Sequence, residues 1–367
     1  MPIRNSLERW GSLAKLFHWL VVLLVICQFV LAWLAHDLPP GMEKLTLLAR
    51  HKSIGITILA LATLRLLWRA ANRTPVLPAT MAGWEKFTAR ATHALLYVLL
   101  FAVPLAGWIM SSAKNFPVSW FGLVQLPDLV APSEATFDIA HETHEILAFS
   151  LGVIAILHLL AALKHHFFNR DTVLKRMLPF ARVPALLLLM LFAAGPGSDA
   201  SAATPGAQTL EGSGATGTLQ FRFSQAGATT DGAFGRFTTV LTTGDDGAPA
   251  TLEVRVEVDS LDTQDKDRDS TLRSKDLFDV RRFPAATFSA GRITRAADGG
   301  YVAHGKLTIR DATRDVALPF TLADGRLAGQ LAIKRLDYGV GQGEWRATSM
   351  VADAVTILWS VRLAPAH

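Results

Sequence analysis

Apolar and polar positions divide the chain into two regimes. Up to about residue 180 the apolar residues come in long blocks, and beyond about residue 217 they alternate with polar ones. Leu16–Ala35 is a run of twenty residues without a formal charge. At about 1.5 Å of rise per residue, such a run crosses an apolar layer of about 30 Å. Ala91–Met110 is a second run of this kind, and Ile146–Leu163 is a third, of eighteen residues. Ser53–Trp68 is interrupted by Arg65 near one end, where a guanidinium can reach the interface along its apolar stem. Four such blocks predict four membrane-spanning helices rather than the buried helices of a soluble protein.

Val183–Ser198 is a fifth, shorter apolar stretch. Lys175, Arg176 and Arg182 precede it, and it ends in Gly-Pro-Gly-Ser-Asp-Ala-Ser-Ala-Ala. Basic residues, a Leu-rich core and small residues match a secretory signal, here at an internal position. The stretch is expected either to span or to be cleaved after Ala203, and in both cases to carry the C-terminal part of the chain across the membrane. From about Gly217 the pattern changes to period two. Leu219–Ser224 and Thr251–Asp259 alternate strictly, and Tyr301–Ile309, Val316–Leu322, Leu327–Ile333 and Val355–Leu363 continue the pattern. Gly-Asp-Asp-Gly, Asp-Gly-Gly and Ala-Asp-Gly supply turns. Roughly eight strands are expected, forming an antiparallel barrel or sandwich. The expected organisation is therefore an all-α four-helix membrane bundle over 1–180, a linking segment over 181–204 and an all-β domain over 205–367.

Charge sets the orientation. Residues 1–180 hold 16 Lys+Arg against 10 Asp+Glu, whereas residues 200–367 hold 19 against 20. The basic excess flanks apolar runs, which points to membrane topology and away from nucleic acid. Thirteen Lys and Arg fall at the N-terminus, between spans two and three, and after span four; the two remaining loops hold four. Both ends of the bundle are thus expected in the cytoplasm, with the β-domain on the opposite side. The single cysteine, Cys27, excludes iron–sulfur clusters and Cys-based zinc sites built from this chain alone.

Histidine carries the candidate chemistry, and nine of the eleven lie at or before His166. A histidine inside a span is expensive and marks function. His144 and His158 are fourteen residues apart. At about 100° and 1.5 Å per residue they share one helix face and stand about 21 Å apart along it. That spacing suits the axial ligands of two stacked haems. Depth alone pairs His18 with His158 toward the cytoplasmic side and His51 with His144 toward the outer side. Bis-histidine ligation leaves the iron no open position and suits electron transfer. A proton relay or a transporter is the alternative reading of the same spacing. His36, His141, His165 and His166 fall in loops, off the shared face or at the interface. His93, inside span three, fits either a contact to a haem propionate or quinone or plain packing.

Residues 10–180 resemble the bacterial cytochrome b561 family. The matching segments are Leu16-Phe17-His18-Trp19-Leu20, Arg50-His51-Lys52-Ser53-Ile54-Gly55, His93-Ala94-Leu95-Leu96-Tyr97, Pro104-Leu105-Ala106-Gly107-Trp108, His144-Glu145-Ile146-Leu147-Ala148, His158, and Lys164-His165-His166-Phe167-Phe168. The resemblance implies an inner-membrane protein with two haem b groups, whose axial ligands fall on His18, His51, His144 and His158. It also implies electron transfer between a periplasmic donor and the quinone pool. One branch of the family resembles a superoxide oxidase that passes electrons to ubiquinone. Lys114 stands alone among Asp128, Glu134 and Asp138 in the outer loop and makes a poor anion funnel.

Residues 217–365 resemble the YceI family of lipocalin-like periplasmic barrels. Gly235-Arg236-Phe237, Ser260-Leu261-Asp262-Thr263, Arg268-Asp269, Leu272-Arg273-Ser274, Asp276-Leu277-Phe278-Asp279, Phe283-Pro284, Phe288, Gly305-Lys306-Leu307-Thr308-Ile309 and Asp337-Tyr338-Gly339-Val340 carry the likeness. The resemblance implies that the barrel holds an isoprenoid chain such as a polyprenyl quinone. Thr271 stands where a histidine is usual, and Arg310-Asp311-Ala312 replaces a His-Gly-Val-like turn. A barrel of this size either encloses a cavity or packs solid. Asp259, Asp262, Asp265, Asp267 and Asp269 lack the order of a calcium loop and are expected in a solvated loop. Two functions are expected from the combination. One is an oxidoreductase passing electrons from superoxide or another periplasmic donor through two haems to a quinone. The other is an isoprenoid-binding or transport module anchored to a haem-containing membrane sensor.

Overall fold

The computed structural model describes residues 3–78, 81–178, 209–245, 247–297 and 299–366. The stretch Val183–Ser198 lies outside them. The described residues form a helical unit and a β unit.

Four helices build the first unit: α1 (Ser12–His36), α2 (Met42–Ala71), α3 (Gly83–Ala113) and α4 (Glu134–Phe167). All four are long and apolar enough to cross a membrane. Each extends beyond the apolar run that announced it. The largest extension is in α2, which begins at Met42 rather than Ser53, so His51 lies within a helix. Local caps set two of the starts: Ser133 Oγ accepts from the Thr136 N–H, and the Glu85 carboxylate accepts from the Ala82 N–H. The interior is thin and made of Val21, Ile58, Ala62, Leu99, Leu100 and Leu151. The outward faces carry large apolar side chains in the open, Trp33 at 73% and Phe149 at 72% exposure among them. Such surfaces suit contact with lipid.

The loop after α3 holds a feature that periodicity does not announce. Strands β1 (Ser119–Trp120) and β2 (Val124–Gln125) form a small antiparallel pair. It is fastened to α2 beside His51. Buried Ser53 donates to Ser119 O at 3.1 Å and accepts from the Phe121 N–H at 3.0 Å, and Trp120 Nε1 donates to Thr57 Oγ1. Lys52 Nζ donates to Phe116 O and lies 3.3 Å from the Phe116 ring centre.

The second unit is one curled antiparallel sheet. Its segments are β3 (Thr209–Ser213), β4 (Gly217–Gln225), β5 (Ala228–Phe234), β6 (Phe237–Thr243), β7 (Pro249–Glu257), β8 (Leu261–Asp262), β9 (Ala285–Arg295), β10 (Tyr301–Ile309), β11 (Ala312–Ala323), β12 (Arg326–Lys334), β13 (Val351–Arg362) and β14 (Ala364–Pro365). From β9 to β13 the strands pair in sequence order. The sheet then curls back on itself: β13 pairs with β4, while β14, which continues β13, pairs with β3. Twelve segments replace the roughly eight expected strands, among them the short β3, β8 and β14. The strict alternation of β4 puts Leu219, Phe221 and Phe223 inside. Leu241, Leu252, Ala303, Leu327 and Val361 complete the core at 2% exposure or less.

The expected acidic loop is partly a helix, α5 (Lys266–Arg273). Asp265 caps it, accepting from the Arg268 N–H at 2.9 Å. Asp269 is buried and accepts from both the N–H and the hydroxyl of Thr263 at 2.9 and 2.6 Å. The expectation of a wholly solvated loop is corrected here, because two of the five carboxylates satisfy backbone and hydroxyl donors inside the fold.

Candidate functional site

The four helices bring the expected histidines together in pairs. His18 on α1 faces His158 on α4, with ring centres 6.4 Å apart and ring planes at 85°. His51 on α2 faces His144 on α4 at 6.2 Å and 74°. Among the described residues no hydrogen bond joins the two rings of either pair. A metal–imidazole bond of about 2 Å on each side places two trans imidazole centres about 6 Å apart. Both pairs therefore have the separation that one metal atom between them requires.

The surroundings of His144 fit the same chemistry. Its Nδ1 lies 2.9 Å from Val103 O on α3. A carbonyl can only accept, so Nδ1 donates and Nε2 keeps its lone pair for a metal; this is how neighbouring groups fix the tautomer of a ligating histidine. Gly107, one turn beyond Val103, leaves room for the ring. A Cβ there would sit 2.9 Å from His144 Cε1 and 3.0 Å from its Nδ1. The Nδ1 atoms of His18 and His51 are buried and, among the described residues, have no hydrogen-bond partner.

A third histidine joins one pair. His93 on α3 lies 5.1 Å from His158, ring centre to ring centre. Beside it, Arg65 and Arg69 of α2 lie 5.3 and 5.7 Å from the ring of Tyr97, one turn along α3 from His93. The apolar pattern marks Arg65 only as an interfacial residue and gives Arg69 and Tyr97 no role. The signal available is the i, i+4 spacing of Arg65 with Arg69 and of His93 with Tyr97, which puts each pair on one helix face. The other described histidines of the bundle make their ring or ionic contacts elsewhere. His36 pairs with Asp37 in the open, His141 lies against Phe137, and His165 meets Asp171 at 2.6 Å beyond the His158 end.

Residues 9–180 match the family model of prokaryotic cytochrome b561. The chain belongs to this family. Cytochrome b561 homolog 2 of Escherichia coli (strain K12) is 35% identical over 188 residues, covering 48% of this chain and 95% of the homologue. A probable superoxide oxidase of Yersinia pestis is 31% identical over 181 residues, covering 48% of this chain and 98% of its own length. Cytochrome b561 family membership implies haem b as the cofactor, and the spacing of the two histidine pairs fits it.

Residues 211–363 match a YceI-like domain, so this chain is a cytochrome b561 bundle fused to a YceI-like domain. The crystal structure of Burkholderia cenocepacia BcnA is 32% identical and covers 40% of this chain and 96% of its own, with a TM-score of 0.38. In the YceI-like domain the inward face is apolar, and part of it is only half-buried. Leu331 and Ile333 on β12 and Val355, Ile357 and Trp359 on β13 share the inward face of buried Leu327 and Val361, yet stay only half-buried.

Proposed function

We propose that this protein is a diheme b-type cytochrome of the inner membrane that passes electrons from a periplasmic donor, superoxide being one, to the quinone pool. Facing rings at 6.4 and 6.2 Å in two separate pairs carry this reading. His18 and His158 hold one haem, and His51 and His144 the other. Bound haem supplies one-electron chemistry at an iron with no open position. The chain's own contribution is placement. Helix α4 offers both pairs from one face, Val103 and Gly107 set the His144 ring, and the β1–β2 loop braces α2 beside His51. The positive-inside bias puts the His51/His144 pair toward the periplasm, together with the YceI-like barrel.

The half-buried apolar wall of the barrel supports a second role, holding an isoprenoid or quinone-like lipid. On the alternative reading this binding or transport is the main task and the bundle is a haem-containing anchor.

The reduced-minus-oxidised spectrum of the purified protein, with haem counted per chain, tests the proposal. Two b-type haems are expected, with one lost in His18→Ala or His158→Ala and the other in His51→Ala or His144→Ala. Membranes supplied with superoxide should then reduce ubiquinone. Fully loaded protein without that reduction would exclude superoxide as donor, and protein without haem would leave lipid binding as the function.

A further inference from the structure

Arg65 and Arg69 put two guanidinium groups within the apolar bundle. Both stand against Tyr97, at 5.3 and 5.7 Å from its ring centre. Among the described residues neither makes an ion pair with a carboxylate. Glu85, on the same helix as Tyr97, is taken by Lys164 at 2.6 Å. Two like charges inside a bundle are costly unless a counter-charge joins them. A ring quadrupole offsets part of that cost but does not neutralise two cations.

Position identifies the counter-charge. Both cations face Tyr97, which lies one turn along α3 from His93. The cations therefore stand at the His18/His158 end of the bundle and not at the His51/His144 end. His93, in ring contact with His158, closes the gap between the cations and that pair. An anion here has to belong to whatever the His18/His158 pair holds, and guanidinium forks match carboxylates. We infer that Arg65 and Arg69, backed by Tyr97 and His93, form the cradle for the carboxylates of the haem held by His18 and His158. The inference rests on the diheme reading above. It makes the two haems electrostatically unequal: the one beside two cations gains in its reduced form, which carries one more negative charge.

The experiment is a spectroelectrochemical titration of the haem-loaded protein in lipid nanodiscs. In Arg65→Gln, one haem's midpoint potential is expected to fall by at least about 59 mV, a tenfold change in a one-electron equilibrium. The other should stay within a small fraction of that. Arg65→Lys should retain part of the potential. In the reduced-minus-oxidised infrared spectrum, haem labelled with ¹³C at its carboxylates should shift its carboxylate bands in Arg65→Gln. If Arg65→Gln loses the haem, the same bands in Arg65→Lys and Arg69→Gln decide. Unmoved bands and potentials, or equal shifts of both haems, would overturn the cradle while leaving the diheme reading intact. A shift that appears only with anionic lipid would assign the cations to a lipid headgroup and overturn it as well. Wild-type protein lacking the His18/His158 haem would instead refute the proposed function itself.

Discussion

At the scale of single residues, the bundle spends its few polar groups on holding rings in place. Val103 O fixes the orientation of His144, and Gly107 gives that ring its space. On the diheme proposal, Gly107→Ala should therefore displace His144 and cost the bundle one haem of two. A conflict of about 1–3 kcal/mol is typical of a methyl forced into a filled site. Haem content per chain and the spectrum of the remaining haem check this, and retention of both haems would show that the ring can move aside. That His18 faces His158 and His51 faces His144 was legible in the sequence, because their depths along the spans match and His144 and His158 share a helix face. Gly107 was not, since a glycine in a helix says nothing about which ring approaches it. Asp269 was misplaced for a similar reason. Five aspartates in eleven residues look alike in composition, and only the fold turns Thr263 toward one of them.

At the scale of elements, α4 is the ruler of the site. It carries one histidine of each pair, fourteen residues apart, so the pairs depend on the length of helix between them. Inserting one alanine after Gly152 rotates everything beyond it by about 100°. His158 should then leave His18 while His144 keeps His51, and haem content in isolated membranes should fall from two per chain to one. If two are retained, the pairing is not set by this helix. The helices and half of the strands of the β unit were readable from apolar runs and period-two alternation, and Tyr301–Ile309 came out with the bounds of β10. The start of α2 was not. Glu43, Lys44, Arg50 and Lys52 break the apolar run there, although nothing in those residues ends a helix. Nor were β1 and β2 readable, since a strand of two residues has no period to detect.

At the scale of the whole molecule, the two pairs divide the bundle into two ends, and the ends differ in their surroundings. One has the His18/His158 pair with Arg65, Arg69 and His93; the other has the His51/His144 pair under the braced β1–β2 loop. The pairs stand about 21 Å apart along α4. On the proposed orientation a periplasmic donor meets the His51/His144 haem first, and the quinone receives electrons after the second haem. That order predicts an asymmetry between single-haem variants. In His158→Ala, rapid mixing with superoxide should reduce the remaining haem at the wild-type rate while ubiquinol formation is lost. In His51→Ala, both the fast haem reduction and ubiquinol formation should disappear. Stopped-flow absorbance at the haem bands, with quinol extracted from the same mixture, measures both quantities. The reverse pattern would place the donor at the Arg65 end and invert the direction of flow. Equal loss of fast reduction in both variants would mean that neither haem takes electrons from superoxide unless its partner is present.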